Sequence, residues 1–166
     1  MQLPPLEVIA AWPEPNYVNP TDVRGPAILI LTVIFIPLLV ILVALRIYTR
    51  LRLSRNFGAD DITIVAAVFP TVGCAILAQA AALHYGWSRH IWDVQPDQVV
   101  IGLKFAMAVE VLFMASACLT KVSMLLLILR IMGDSSGVLR WMSITLMGIV
   151  CSHVLVYLIV VVNTCR

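Results

Sequence analysis

Apolar residues in this chain run in long blocks rather than in strict alternation with polar ones. Four blocks stand out, at about 26–45, 61–84, 99–131 and 139–162. The hydrocarbon layer of a bilayer is about 30 Å thick, and a helix needs roughly 20 apolar residues to cross it. Each block therefore predicts a membrane-spanning helix. A membrane barrel would instead alternate polar and apolar positions, with turns about every ten residues. The predicted fold class is all-α, a polytopic transmembrane helix bundle. The first block, PAILILTVIFIPLLVILVAL, carries no charge, and residues 62–83 of the second carry none either. Lys104, Glu110, Lys121 and Arg130 interrupt the third. At about 1.5 Å per residue that block reaches roughly 50 Å, so it tilts or projects its ends into water. Pro37 and Pro70 fall mid-span, where each removes a backbone donor and predicts a kink.

Composition narrows the class further. Of 166 residues, 61% are hydrophobic and 12% charged, against about 45–50% and 25% in a soluble domain. So few charges cannot cover a water-soluble globule, and disorder requires the opposite composition. A net charge of +2 argues against nucleic acid as a partner; the partner this composition demands is a lipid bilayer. Arg46, Arg50, Arg52 and Arg55 in the first loop, with Arg130 and Arg140 bordering the third, outnumber Arg24, Arg89 and Arg166 on the opposite side. The positive-inside rule then puts the first loop in the cytoplasm and the N-terminus outside. Residues 1–25 contain five prolines and lack the basic and apolar regions of a signal peptide. They read as an extracellular Pro-rich tail ahead of a transmembrane domain at 26–166. Only Asn163, Thr164, Cys165 and Arg166 follow the fourth span, so the chain reads as the first part of a larger bundle.

Ionisable residues within spans cost about 2.5–3.5 kcal/mol each on insertion scales and should face protein or water. Glu110 and Lys121 are eleven positions apart and share a helix face with Met114 and Ala117 between them. About 16 Å of helix separates them, too far for an ion pair. Lys104 points about 120° away from Glu110 and can snorkel to the headgroups. Gln79, Lys104, Glu110 and His153 all fall in the outer half, and together form a candidate ligand pocket. The competing reading makes Gln79 and His153 hydrogen-bond glue between helices. At the inner end, Asp60 and Asp61 open the second span, where carboxylates satisfy orphan N–H groups and suit the helix dipole. Pairing with an inner arginine would make Asp60, Asp61, Lys121 and Arg130 a candidate intracellular cap or gate, with Lys121 in a structural role.

The loop HYGWSRHIWDVQPDQ holds His84, His90, Asp93 and Asp97, yet without the i, i+4 spacing of a zinc site. Tyr85, Trp87 and Trp92 fit an interfacial aromatic belt. Cys74, Cys118 and Cys151 fall within spans as small apolar residues, while Cys165 would be external. No nucleophile elbow, phosphate-cradling loop or paired-carboxylate motif occurs. No metal, cofactor or catalytic residue is predicted.

Several motifs occur together in order: Arg46-x-Tyr48-x-Arg50, Asn56-Phe57-Gly58-Ala59-Asp60-Asp61, the run from His84 to Trp92, Lys104 and Glu110, Lys121-Val122-Ser123, and Leu129-Arg130-Ile131. In these the chain, over about residues 24–166, resembles the fungal rhodopsin-domain integral membrane family. The resemblance implies a seven-helix architecture with the N-terminus outside, truncated here after four helices, and a place in the plasma membrane. Some relatives are surface-sensing receptors. Those often carry a cysteine-rich external domain, whereas residues 1–25 contain no cysteine. The leading expectation is a receptor-like protein that meets an extracellular small ligand outside and a cytoplasmic signalling protein or anionic lipid inside. The alternative is a membrane-embedded isomerase or cyclase acting on an apolar metabolite, with Glu110 or His153 as proton donor. A retinal protein would need a buried Schiff-base lysine in a late helix, which these four spans do not supply.

Overall fold

The computed structural model describes residues 26–132 and 137–164, with residues 5, 7, 8, 11–14, 16 and 17 of the N-terminal segment. Arg24, Cys165 and Arg166 lie outside the described residues, and the expectations attached to them with them. Four helices account for most of the chain: α1 (Ala27–Tyr48), α2 (Ala59–His84), α3 (Pro96–Met132) and α4 (Gly137–Thr164). All four are long and apolar enough to cross a membrane. No strand occurs among the described residues, and the all-α, four-span reading holds. The α3 helix is continuous over 37 residues, about 55 Å at the standard rise. Helix α1 runs through Pro37 and α2 through Pro70 without a break in either element.

The burial pattern inverts that of a soluble protein. Among the described residues the buried apolar side chains are Ala67 and Ala81, whereas Asp60, Asp61, Asp93, Ser123 and Ser143 are also buried. Large aliphatic side chains point outward along every helix, and α1 buries none of its residues. The accessible surface is 11893 Å², against about 8,100 Å² for a water-soluble globule of this mass. Lipid tails are as apolar as leucine, so helices in a bilayer gain little from hiding leucine and associate through close packing and polar contacts instead.

The α2/α3 pair is the most extensively packed in the bundle, and its seam has a period of seven. On α2 it runs through Asp60, Ala67, Cys74 and Ala81; on α3 through Gly102, Val109, Ser116, Ser123 and Arg130. The antiparallel register is set by direct contacts. Cys74 Sγ lies 3.7 Å from the Val109 carbonyl, the Thr71 and Ser116 hydroxyls bond each other, and Ser123 Oγ donates to the Asp60 carbonyl at 2.6 Å. Small side chains every seventh residue let two backbones approach, and a 3.5-residue repeat keeps the seam facing its partner over many turns.

Local chemistry decides the connections. After α1 the chain widens into a π-helical turn at Thr49–Leu53, closed by Ser54 N–H donating to the Thr49 carbonyl at 2.9 Å. Arg55 takes a left-handed conformation with φ of 47°. At the far end of α2, Gly86 has φ of +72° and sits so close to Val94 that a Cβ would fall 2.6 Å from its methyl; glycine alone meets both demands. The α2–α3 loop then forms a 3₁₀ turn at Ile91–Asp93. Described residues of the N-terminal segment pack against it: Asn16 N–H donates to Asp93 Oδ1 at 3.0 Å, and the Trp12 and Trp92 rings are 5.9 Å apart.

The seam makes a contrast testable. Ala81 is fully buried, so Ala81→Leu should overpack the helices and cost about 1–3 kcal/mol. Ile76→Ala, on the lipid-facing side of the same helix, should stay within about 0.5 kcal/mol. Thermal unfolding in detergent reads both; equal midpoints would contradict the seam.

Candidate functional site

A cluster of five charged side chains joins three helices at the Arg46 end of the bundle. Asp61 is completely buried and Asp60 is 3% exposed. Arg46 bridges the two carboxylates, with Nε 3.0 Å from Asp61 Oδ1 and Nη2 3.0 Å from Asp60 Oδ2. Arg50 approaches the same pair of oxygens at 3.7 and 3.8 Å. From α3, Arg130 Nη1 lies 2.8 Å from Asp60 Oδ1 and 3.6 Å from Asp61 Oδ2, and Nη2 donates to the Asn56 carbonyl. Gly58 N–H donates to Asp61 Oδ2 at 3.2 Å, so that carboxylate also caps α2. Capping and ion pairing, alternatives in the sequence, coexist in one aspartate.

The geometry follows from helix periodicity. Arg46 and Arg50 are four apart and share a face, and the π-helical turn holds Arg50 there. Ser123 and Arg130 are seven apart and share the α2-facing side of α3. Two carboxylates out of water are tolerable only when paired and hydrogen-bonded, and three guanidiniums supply the pairing. Gly58 is needed for space: a Cβ there would lie 2.7 Å from Arg130 Nη1. Lys121, grouped with this end in the sequence reading, is absent from the cluster. It sits two residues from Ser123, a rotation of about 200°, and so faces away.

The second region is the α3/α4 seam. Lys121, Cys118, Ala117 and Met114 of α3 line a groove of about 460 Å³ with Ile149, Val150 and His153 of α4. One turn beyond His153 on the same face, the buried Tyr157 hydroxyl lies beside the Glu110 carboxylate without forming a hydrogen bond of normal geometry. Glu110, Met114, Ala117 and Lys121 thus do share a face. On α2, Gln79 has a buried Oε1 with no hydrogen-bond partner among the described residues. The α2/α3 register puts it level with the stretch 104–108 of α3. Lys104 is exposed. Among the described residues, no hydrogen bond or ion pair joins Gln79 or Lys104 to Glu110 or His153. At the opposite loop, His90 stacks on Trp92 at 4.5 Å and Asp93 is buried. No group of three metal-ligating side chains occurs among the described residues.

Four membrane-spanning helices with polar ties and outward-facing aliphatic side chains define a multi-pass integral membrane protein of the helical-bundle class. Comparison with known families makes this specific. The fungal rhodopsin domain profile matches residues 45–166, well over half of the chain, and the protein belongs to that family. No curated protein and no solved structure matches it.

The sequence suggested an inner arginine as partner of Asp60 and Asp61 but singled out Arg130; Arg46 and Arg50 entered only through chain orientation and the family motif, and the structure makes them partners too. Their i, i+4 spacing was the available signal. Reading the sequence also missed Tyr157, whose spacing of four from His153 was equally visible. Removing one charge from the cluster leaves guanidiniums that are 24–28% exposed and partly solvated. Asp61→Asn is therefore expected at the low end of buried-pair disruption, about 3 kcal/mol. Gly58→Ala should lower stability less by displacing Arg130, and Arg52→Ala should leave it unchanged. Unfolding midpoints in detergent rank the three.

Proposed function

We propose that this rhodopsin-like membrane protein works as a receptor for an extracellular small ligand or surface cue. The supporting observation is two buried oxygens that form no hydrogen bond of normal geometry among the described residues, Gln79 Oε1 and Tyr157 Oη, the latter beside the Glu110 carboxylate. Each such group costs about 1–3 kcal/mol, and a bound ligand offering donors or acceptors recovers that cost. Gln79, Lys104, Glu110 and His153, with Tyr157 added, form the proposed ligand pocket. The N-terminus and the α2–α3 loop face outward in this reading, at the plasma membrane, and the first loop faces the cytoplasm, as its arginines favour. The charged cluster of Asp60, Asp61 and Arg130 then acts as an intracellular gate whose arrangement differs between liganded and free states. Ligand shifts that equilibrium only through unequal affinity for the two. Lys121 lies outside the gate, and a cytoplasmic signalling protein reads the first loop.

Glu110→Gln in the host protein should shift the dose–response curve to higher ligand by about tenfold, the loss expected for one charge-assisted hydrogen bond. An unchanged curve would remove Glu110 from the pocket. An epitope inserted beside Asn56 should react with antibody only after cells are permeabilised; labelling of intact cells would reverse the orientation.

A further inference from the structure

The α3/α4 groove contains a cation that the bundle does not neutralise. Lys121 makes no hydrogen bond or ion pair among the described residues, and every salt bridge described belongs to Arg46, Arg50 or Arg130. Its surroundings are apolar apart from His153, with Met114, Cys118, Ile149 and Val150 nearby. Its depth follows from the neighbouring seam. Ser123 Oγ bonds the Asp60 carbonyl, and Lys121 is two residues, about 3 Å, further along the axis. Residue 121 therefore lies within a turn of the level of the charged cluster, beside the first turn of the α2 span. From there the groove runs toward the bilayer centre, reaching His153.

We propose that this groove holds one acidic phospholipid, its phosphate against Lys121 and an acyl chain along Met114, Cys118 and Val150. Charge complementarity selects the headgroup, because a cation beside an apolar groove requires an anion and none of the described residues pairs with it. The direction of the groove selects the rest: a soluble anion would leave its apolar length empty. Exposure of Phe113 and Ile149 at its rim leaves it open sideways to the bilayer, the route by which a lipid enters. The site is separate from the receptor reading and stands if Glu110 proves irrelevant to signalling.

The full chain in nanodiscs of mixed phosphatidylcholine and phosphatidylglycerol, examined by native mass spectrometry, should retain one phosphatidylglycerol in preference to phosphatidylcholine. Lys121→Gln should cut that preference about fivefold, the equivalent of about 1 kcal/mol for one basic residue at the surface. The Arg52→Gln, Arg55→Gln pair in the first loop should leave it intact. Helicity by circular dichroism confirms that each variant is folded; should Lys121→Gln fail to fold, Lys121→Arg, which keeps the charge, must retain the lipid. Three results would overturn the proposal: retention unchanged in folded Lys121→Gln, loss in the loop pair with retention in Lys121→Gln, or a protein dimer that excludes lipid from the wild-type chain.

Discussion

Two carboxylates without access to water, Asp60 and Asp61, determine how one end of this bundle is built. In a bilayer the usual reward for burying apolar surface is missing, so α1 could pack against α2 in many equivalent ways. The carboxylates remove that freedom. They demand guanidiniums from three directions, and Arg46, Arg50 and Arg130 reach them only if α1, α2 and α3 meet in one arrangement. A buried ion pair adds little net stability compared with apolar packing, but it penalises every arrangement that leaves a charge alone. Its contribution is to specificity.

Away from that end, the α2/α3 seam is held by absence of bulk. Ala67, Cys74 and Ala81 on α2 and Gly102, Ser116 and Ser123 on α3 fall on a seven-residue repeat of the facing sides, and Thr71, Cys74, Ser116 and Ser123 add polar contacts where the backbones are close. This repeat carries the helices together along nearly the full depth of the membrane. Arg130 and Ser123 belong to the same repeat, so the charged cluster is the terminal layer of the seam. Asp61 both caps α2 and receives Arg46, which couples the start of a helix to the position of its neighbour.

The α3/α4 seam differs in kind. It has no ion pair among the described residues; Lys121 and His153 line a groove between the two helices, and Glu110 meets Tyr157 farther along the same faces. Lys121 has no ion pair among the described residues, and farther along α3 the Glu110 carboxylate lies beside the Tyr157 phenol. Such polarity within a span is expensive, and among the described residues no salt bridge offsets it. One face of α3 therefore carries the closest helix–helix packing while the face about 100–200° away borders an open groove.

Helix number, length and the membrane setting were written in the sequence, because each depends only on the run length of apolar residues and on local backbone satisfaction. The shared face of Glu110, Met114, Ala117 and Lys121 was legible for the same reason: it is internal to one helix. Partnership was not. Whether Asp60 met Lys121 or Arg46 depended on the rotation of α3 about its axis, and that rotation is set by Ser123 and the small residues of the seam. Depth along the axis was likewise ambiguous in a helix longer than the bilayer, until the Ser123–Asp60 contact placed Lys121 beside the first turn of α2. Periodicity within a helix is a one-dimensional property that a sequence states outright; the phase between two helices is a property of their contact, and only tertiary packing chose it.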